Sequence, residues 1–344
     1  MKALVLSGGS GTRLRPFTHS MPKQLIPIAN KPILQHVLEN ISALGVTEVG
    51  IVVGVWEQQI TESLGDGSAL GLRITYLPQD APRGLAHAVV IARDFLGDDD
   101  FVMYLGDNVL PDGVAEIAEE FGRARPAAQV VVHKVSDPRS FGVVELGPAG
   151  EVLRLVEKPA EPRSDLALIG VYFFTAAIHE AVNAIEPSAR GELEITDAIQ
   201  WLVTHGGDVR AGEYDGYWKD AGCVEDVLDC NHKLLDGLRG SLAGEVDEES
   251  VLTGEVVVEA GARVVGSWIE GPVVIAAGTV VESAHLGPYT AVGRDCLIRH
   301  THLDESIVFD GATVSSVGRL RGSMIGRSAI VVATGDDSRA EARI

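Results

Sequence analysis

The stretch Leu6-Ser-Gly-Gly-Ser-Gly-Thr-Arg-Leu-Arg-Pro16 decides the amino-terminal fold, because it is a glycine-rich turn set where the short apolar run Ala3 to Leu6 should end as a strand. Gly8, Gly9 and Gly11 carry no side chains, so backbone N–H groups can approach and cradle an anion. Arg13 adds a fixed positive charge beside them. No Gly-Lys-Ser/Thr closes the loop, so it is not a Walker A turn. Leu14 fills the third glycine place of GxGxxG, so it is not a dinucleotide fingerprint either.

Outward from this turn, Pro32 to Leu44 has helical spacing and Val49 to Gly54 reads as a strand. Further strands are predicted at Arg73 to Leu77, Phe101 to Leu105, Gln129 to Val135 and Ile169 to Phe174, with helices such as Ala86 to Phe95 and Val114 to Gly122 between them. Such alternation predicts an α/β domain with a mixed, mostly parallel sheet and helices on both faces. Ligands in such folds sit beyond the carboxyl ends of strands.

After about residue 240 the helical periodicity stops and short β-branched pieces broken by glycine take over. Hexads begin at Val258, Ile275, Leu286, Val292, Val308 and Ile325, each with an aliphatic first residue and a small fifth residue. Their starts are separated by 17, 11, 6, 16 and 17 residues, near multiples of six and near a three-sided coil of about 18. A parallel β-helix is predicted, each coil burying its aliphatic residue on the next. A β-sandwich would instead alternate with period two. The expected division is 1–240 for the α/β domain, 241–332 for the β-helix and 333–344 for a polar tail.

The chain has 344 residues, 28 Lys plus Arg and 49 Asp plus Glu, giving a formal charge of −21. A field of that sign repels polyphosphate backbones and anionic membranes, so nucleic acid and membrane are not expected partners. The acid-free start is the local exception: Lys2, Arg13, Arg15, Lys23 and Lys31 precede the first acid, Glu39, so this part is +5 and the remainder −26. No apolar run approaches the roughly 18 residues of a membrane span and no signal-peptide pattern opens the chain, so a cytoplasmic location is expected. Cys223, Cys230 and Cys296 form no CxxC pair and read as reduced thiols.

Lys23, in the proline-bounded Pro22-Lys-Gln-Leu-Ile-Pro27, can reach back from a stiff loop to an anion on the glycine turn. Asp107 ends the strand Phe101 to Leu105, a place where a hard oxygen ligand can meet a nucleotide-bound cation. Gln79 offers a carbonyl and an amide, a pair that matches the N3–H and O4 edge of thymine and equally that of uracil. Glu157 and Lys158 would point to opposite sides if their segment is extended.

Taken in order, the glycine turn, Lys-Gln-Leu at 23–25, Leu-Gly-Asp-Asn at 105–108, Phe-Gly-Val-Val-Glu at 141–145, Glu-Lys-Pro at 157–159, Arg-Gly-Glu-Leu-Glu-Ile-Thr-Asp at 190–197 and Trp-Lys-Asp-Ala-Gly at 218–222 form a specific set. With them the chain resembles the sugar nucleotidyltransferases, and among these the long-form glucose-1-phosphate thymidylyltransferases associated with deoxysugar and antibiotic pathways. The resemblance implies a Rossmann-like nucleotidyltransferase domain followed by a left-handed β-helix. It implies dTTP and glucose 1-phosphate as substrates, dTDP-glucose and pyrophosphate as products, Mg²⁺ as cofactor, and a homo-oligomer, dimer or tetramer.

Carried onto this sequence, the resemblance makes Asp107 and Asp220 the metal ligands and Arg13, Lys23, Asp107 and Lys158 the catalytic set. Leu6, Gly8, Gly9, Gly11, Thr12, Arg13, Gln79, Gly84 and Asp107 would bind the nucleotide. Gly142, Glu157, Lys158, Gly170 and Arg190 would bind the sugar phosphate, with Lys158 on the phosphate and Glu157 accepting from glucose hydroxyls. Two positions depart from the family pattern: Phe141 stands where Tyr is frequent, and Ala221-Gly-Cys223 where Thr-Gly-Thr is common. A transfer of another nucleotide to another sugar phosphate, and a catalytically silent sugar-nucleotide-sensing subunit, are the alternative readings.

Overall fold

The computed structural model describes residues 1–9 and 11–333, which fall into two compact units. The first comprises Met1–Gly11, Thr18–Leu25 and Ile33–Asp220; the second takes Thr12–Phe17, Ile26–Pro32 and the chain from Ala221. Apart from Ala333, the expected polar tail lies outside the described residues.

In the first unit, β1 (Lys2–Leu6), β2 (Glu48–Val53), β3 (Arg73–Pro78) and β4 (Phe101–Leu105) lie in the order β3-β2-β1-β4, every neighbouring pair parallel. Ala3 to Leu6 are all buried, as suits a strand covered on both faces. The sheet continues through β5 (Ala128–Lys134), β6 (Gly142–Leu146), β7 (Val152–Glu157), β8 (Leu166–Phe174) and β9 (Val209–Glu213), where antiparallel pairs join the parallel ones. The nine-stranded sheet is therefore mixed, its parallel block carrying the glycine turn.

The long strand β8 does two jobs. Residues 171–174 pair with β4, whereas Ala167 on the same edge pairs with Val143 of β6. Its register on β5 slips between Leu168 and Tyr172, around Gly170 at φ +77°. Such a break re-aims the strand and opens a gap beside the end of β4.

Helix α1 (Ile33–Ala43) fills the stretch read as helical and buries Ile33, Leu34, Val37, Leu38 and Ile41, one face at helical spacing. Leu85–Ile91, a shorter helix α2, likewise buries Ala86, Ala88 and Val89.

The second unit contains the helix α3 (Val224–Leu235) and three parallel sheets of six, six and five short strands, the arrangement of a left-handed parallel β-helix. Five of the six hexad leaders, Val258, Ile275, Val292, Val308 and Ile325, stand in one register column at intervals of 17, 17, 16 and 17 residues. Leu286 belongs to another side, stacked between Ile269 and Leu303. A third column runs Val264, Val281, Ile298, Val314. One coil is thus 17 residues rather than 18, and a hexad step moves the chain from one side to the next.

Compactness separates the units after Asp220, although sequence texture changes only near 240. Leu235 of α3 packs with Val274 and Ala291, and Asn231 ties Ala29 N–H (2.9 Å) to the Tyr289 carbonyl (2.9 Å). Asn30 Nδ2 donates to the Val292 carbonyl at 2.7 Å, and the Phe17 and Phe309 rings lie 5.4 Å apart, which groups 12–17 and 26–32 with the coils. The three cysteines form no disulfide with one another. His300 lies at a positive-φ corner, and His285 and His302 stack outward at 4.0 Å.

Candidate active site

At the carboxyl ends of β1 and β4 the first unit gathers charged residues around its glycine turn. Ser7 N–H donates to the Val52 carbonyl (3.0 Å) and Gly106 N–H to the Leu6 carbonyl (2.9 Å), which pin the start of the turn to the chain on either side of it. Thr18 Oγ1 donates to the Gly11 carbonyl at 2.7 Å and Gln24 Nε2 to the Gly8 carbonyl at 3.3 Å. Pro22–Pro27 does not form a regular helix; Lys23–Leu25 is a single 3₁₀ turn. From it the Lys23 side chain passes over Gly9, its Cε 3.4 Å from where a Cβ on Gly9 would stand. The Lys23 ammonium pairs with Asp107 Oδ2, both side chains being about 15% exposed or less (15% and 14%).

Asp107 directly follows the Gly106 that closes β4. Its neighbour Asn108 pairs in a two-stranded ladder with Asp220, which brings the second carboxylate alongside the first. Asn108 Nδ2 donates to Asp107 Oδ1 at 3.2 Å and Asn108 Oδ1 accepts from Trp218 Nε1 at 2.7 Å, so the amide orients the metal-candidate carboxylate. Trp218 in turn packs edge-to-face with Phe141, the ring centroids 5.2 Å apart.

A cavity of about 240 Å³ is lined by both aspartates together with Gly142, Glu157, Lys158, Gly170 and Arg190, the whole sugar-phosphate set named from the sequence. The expected opposition of Glu157 and Lys158 does not hold. Lys158 has φ +42° with its N–H on the Phe141 carbonyl (2.9 Å), and this left-handed kink after β7 lets both side chains line one cavity, 3.7 Å apart. Burial raises the Glu157 carboxyl above its ordinary pKa, outweighing the opposite pull of Lys158 and Arg190, while nearby Glu194 adds to the rise.

Arg190 reaches Glu157 (3.5 Å), Glu192 (3.5 Å) and Glu194 (3.3 Å), and Ser188 Oγ also donates to Glu194 at 2.9 Å. The guanidinium thus closes the carboxylate side of the cavity. Gly142 and Gly170 are small for structural reasons as well as for ligand access. A Cβ at Gly142 would stand 2.7 Å from Leu168 Cδ1, and one at Gly170 2.7 Å from both Asn108 Nδ2 and Leu105 Cδ1.

Gln79 follows β3, its N–H on the Val53 carbonyl at 2.7 Å, and its Oε1 faces Gly8, 3.6 Å from where a Cβ would stand. Gly84 caps α2 at φ +100°, and a Cβ there would overlap the Leu193 backbone. Leu6 ends β1 beneath the turn. Thr12 and Arg13 belong to the second unit, in the 3₁₀ turn Thr12–Leu14, where the exposed Arg13 lies against Gly222, 2.6 Å from a Cβ built there.

Among the early cations, Lys23 joins this cluster through Asp107, whereas Lys2 sits at the opposite end of β1, bound to the Phe95 carbonyl at 2.6 Å and Asp99 at 2.9 Å. Asn108, Trp218 and Glu194, which the candidate set omitted, line the cavity. Each lies inside a quoted motif, next to or near a residue chosen for its charge, and that adjacency was the available signal.

Carboxylate oxygens suit a hard divalent cation, and no cluster of three or more metal-ligating side chains occurs among the described residues. Two carboxylates are what a Mg²⁺ needs when substrate phosphates complete its shell. The donor set therefore fits a hard divalent cation carried in with a nucleotide. Among the described residues no helix is long and apolar enough to cross a membrane.

The Nucleotidyl transferase family model matches residues 2–237. A glucose-1-phosphate thymidylyltransferase of Streptomyces griseus is 52% identical over 99% of this chain and 99% of its own length. One from Streptomyces antibioticus is 52% identical over 95% of this chain and 92% of its own. Among solved structures, a Bacillus anthracis chain described as a glucose-1-phosphate thymidylyltransferase, in complex with sucrose, is 33% identical with a TM-score of 0.65, covering 70% of this chain and 98% of that one.

Proposed function

Because this chain belongs to the nucleotidyl transferase family, we propose that it makes dTDP-glucose and pyrophosphate from dTTP and α-D-glucose 1-phosphate. The observation that carries this reading is the single cavity lined by Asp107, Asp220, Glu157, Lys158, Gly142, Gly170 and Arg190, beside the glycine turn. The near-full-length identity to the Streptomyces enzymes supports it independently.

A phosphate monoester is already an anionic nucleophile, so no covalent enzyme intermediate and no protein base is required. The sugar phosphate oxygen attacks the α-phosphorus in line and pyrophosphate leaves opposite. Catalysis then rests on holding two anions in line and neutralising their charge. Lys158 orients the attacking phosphate. Glu157 accepts from sugar hydroxyls, Gly142 and Gly170 admit the ring, and Arg190 steadies the carboxylate wall. Lys23 meets the nucleotide phosphates over Gly9, assisted by Arg13, whose role rests on its place two residues after Gly11. Gln79 reads the thymine edge near Gly84. Asp107 and Asp220 would hold Mg²⁺, which supplies charge neutralisation at the phosphates when bound.

Pyrophosphate release with glucose 1-phosphate, compared across dTTP, UTP, ATP and GTP, tests the assignment. A strong preference for dTTP is expected. Preference for UTP would move the chain to uridylyl transfer, as in the Haloferax volcanii relative named UTP–glucose-1-phosphate uridylyltransferase, 36% identical over 69% of this chain. No turnover with any of the four would leave the sensing-subunit reading. A homo-oligomer is proposed as well, supported by Leu242, Val251, Trp268 and Ile330 of the second unit standing exposed. Light scattering distinguishes monomer, dimer and tetramer.

A further inference from the structure

Gln79 could meet a base with either end of its amide, since its oxygen and nitrogen are nearly isosteric. Its neighbour removes that freedom. His87, third residue of α2, sets Nδ1 2.9 Å from Gln79 Nε2, while Gln79 Oε1 points at Gly8. A neutral imidazole protonated on Nε2 accepts at Nδ1, so one amide N–H is committed to His87. The carbonyl and the second N–H stay available.

That pair complements a pyrimidine with a donor at N3 and an acceptor at O4. Cytosine presents the reverse, an acceptor at N3 and a donor at N4. To meet it the amide must turn over, which would set Oε1 against the Nδ1 lone pair. With the proton kept on Nε2, two facing acceptors leave both polar groups unsatisfied; the escape is to move the imidazole proton to Nδ1, so turning the amide over carries the added cost of that tautomer change.

We infer that His87 is a positioning residue that fixes the Gln79 amide for thymine or uracil and against cytosine. The inference rests on the base-reading role proposed for Gln79, and it deepens that reading by naming what sets the base preference.

The test measures kcat and KM for dTTP and dCTP, by pyrophosphate release with glucose 1-phosphate, in the wild type and in His87→Leu, His87→Asn and Gln79→Ala. His87→Leu puts an apolar side chain of comparable bulk on α2 that accepts no hydrogen bond. It is expected to raise KM for dTTP about fivefold with kcat within about twofold, and to narrow the dTTP over dCTP ratio of kcat/KM by about tenfold. His87→Asn returns an acceptor near the Nδ1 position and is expected to restore both values to within about twofold. Melting temperatures of all variants separate these effects from loss of fold, and His87→Ala carries the same readout should leucine pack poorly.

Unchanged KM and unchanged ratio in His87→Leu would overturn the inference. So would an asparagine variant as impaired as the leucine one, because that pattern means packing rather than hydrogen bonding. If Gln79→Ala leaves KM for dTTP unchanged, the base-reading role of Gln79 fails first. If Gln79→Ala raises KM while the His87 variants do not, only the positioning role falls.

Discussion

Replacing Gly170 with alanine tests whether the register break in β8 builds the active site. The residue has φ +77°, which costs an L side chain about 1–2 kcal/mol. Its new Cβ would lie 2.7 Å from Asn108 Nδ2 and from Leu105 Cδ1 and 2.9 Å from Leu105 Cγ, so something must move. Overpacking of that kind costs about 1–3 kcal/mol. The total is about 2–5 kcal/mol, or a fall in melting temperature of roughly 5–15 °C for a unit of this size. The functional loss comes through Asn108. Pushing its amide disturbs the 3.2 Å bond to Asp107 and the 2.7 Å bond from Trp218, which together aim the carboxylate. A displacement of about 1 Å near reacting groups costs around 100-fold, so kcat/KM measured well below the melting point should fall about 10- to 100-fold. Gly150→Ala is the control: φ is +80° there, but nothing lies within 4 Å of the added Cβ. It should lose about 1–2 kcal/mol and no activity. Thermal melts and initial rates of pyrophosphate release give both numbers. A Gly170→Ala enzyme that melts with the wild type and turns over normally would refute the coupling between the strand break and Asp107.

Other perturbations separate the remaining roles. Glu157 holds its proton more tightly in the folded protein than in the unfolded chain, so its ionised form weakens the fold as pH rises through the ordinary carboxylate range toward the raised value. Glu157→Gln should therefore raise the melting temperature at neutral pH, with the gain fading as pH drops below the ordinary range. The same variant should raise KM for glucose 1-phosphate about tenfold through loss of a charged acceptor, read by steady-state kinetics. Asp107→Asn and Lys158→Ala should each lower turnover by about 100-fold or more while far-UV circular dichroism stays unchanged. Chelation should abolish pyrophosphate release and added Mg²⁺ restore it. In the coils, Leu303→Ala removes a fully buried side chain from the middle of its column and should cost about 2–5 kcal/mol, seen in denaturant unfolding.

Much of this architecture was legible because local signals and packing agree. Val258, Ile275, Val292, Val308 and Ile325 repeat at nearly constant spacing since each must cover the one below, so the coil is written in the sequence as a period. The strand Phe101–Leu105 was equally plain, five residues long and four of them buried outright. What stayed hidden depends on one residue leaving the local rule. Lys158 takes a left-handed φ, so Glu157 and Lys158 line one cavity where alternation along a strand puts them on two sides. No periodicity announces such a kink. Strands β6, β7 and β9 were missed for a related reason: β7 has the burial pattern of an edge, with Leu153 and Arg154 outward, and carries only a broken apolar signal. Gly84 was chosen for ligand access, yet the Leu193 backbone alone already demands glycine there.

The charge of the cavity gives the cation a physical necessity. Asp107, Glu157, Glu192, Glu194 and Asp220 line it against Lys158 and Arg190, five carboxylates to two cations, a local balance of −3. Arg190 is already shared among three of those carboxylates, and Lys23 pairs with Asp107. A sugar phosphate entering this cavity with a nucleoside triphosphate adjacent would meet repulsion from the very residues that recognise it. On the proposed function, the acid-rich lining does two opposed things: carboxylates supply the acceptors that sugar hydroxyls require, and they repel the phosphates those sugars carry. A divalent ion, which Asp107 and Asp220 would hold on the proposed reading, would resolve the conflict by supplying positive charge that attracts phosphate to an acidic site. Substituting Lys for Arg190 would not achieve this, since a single ammonium cannot bridge several anions at fixed geometry. Metal dependence, in this reading, follows from the need to recognise an uncharged sugar and a polyanion in the same acidic pocket.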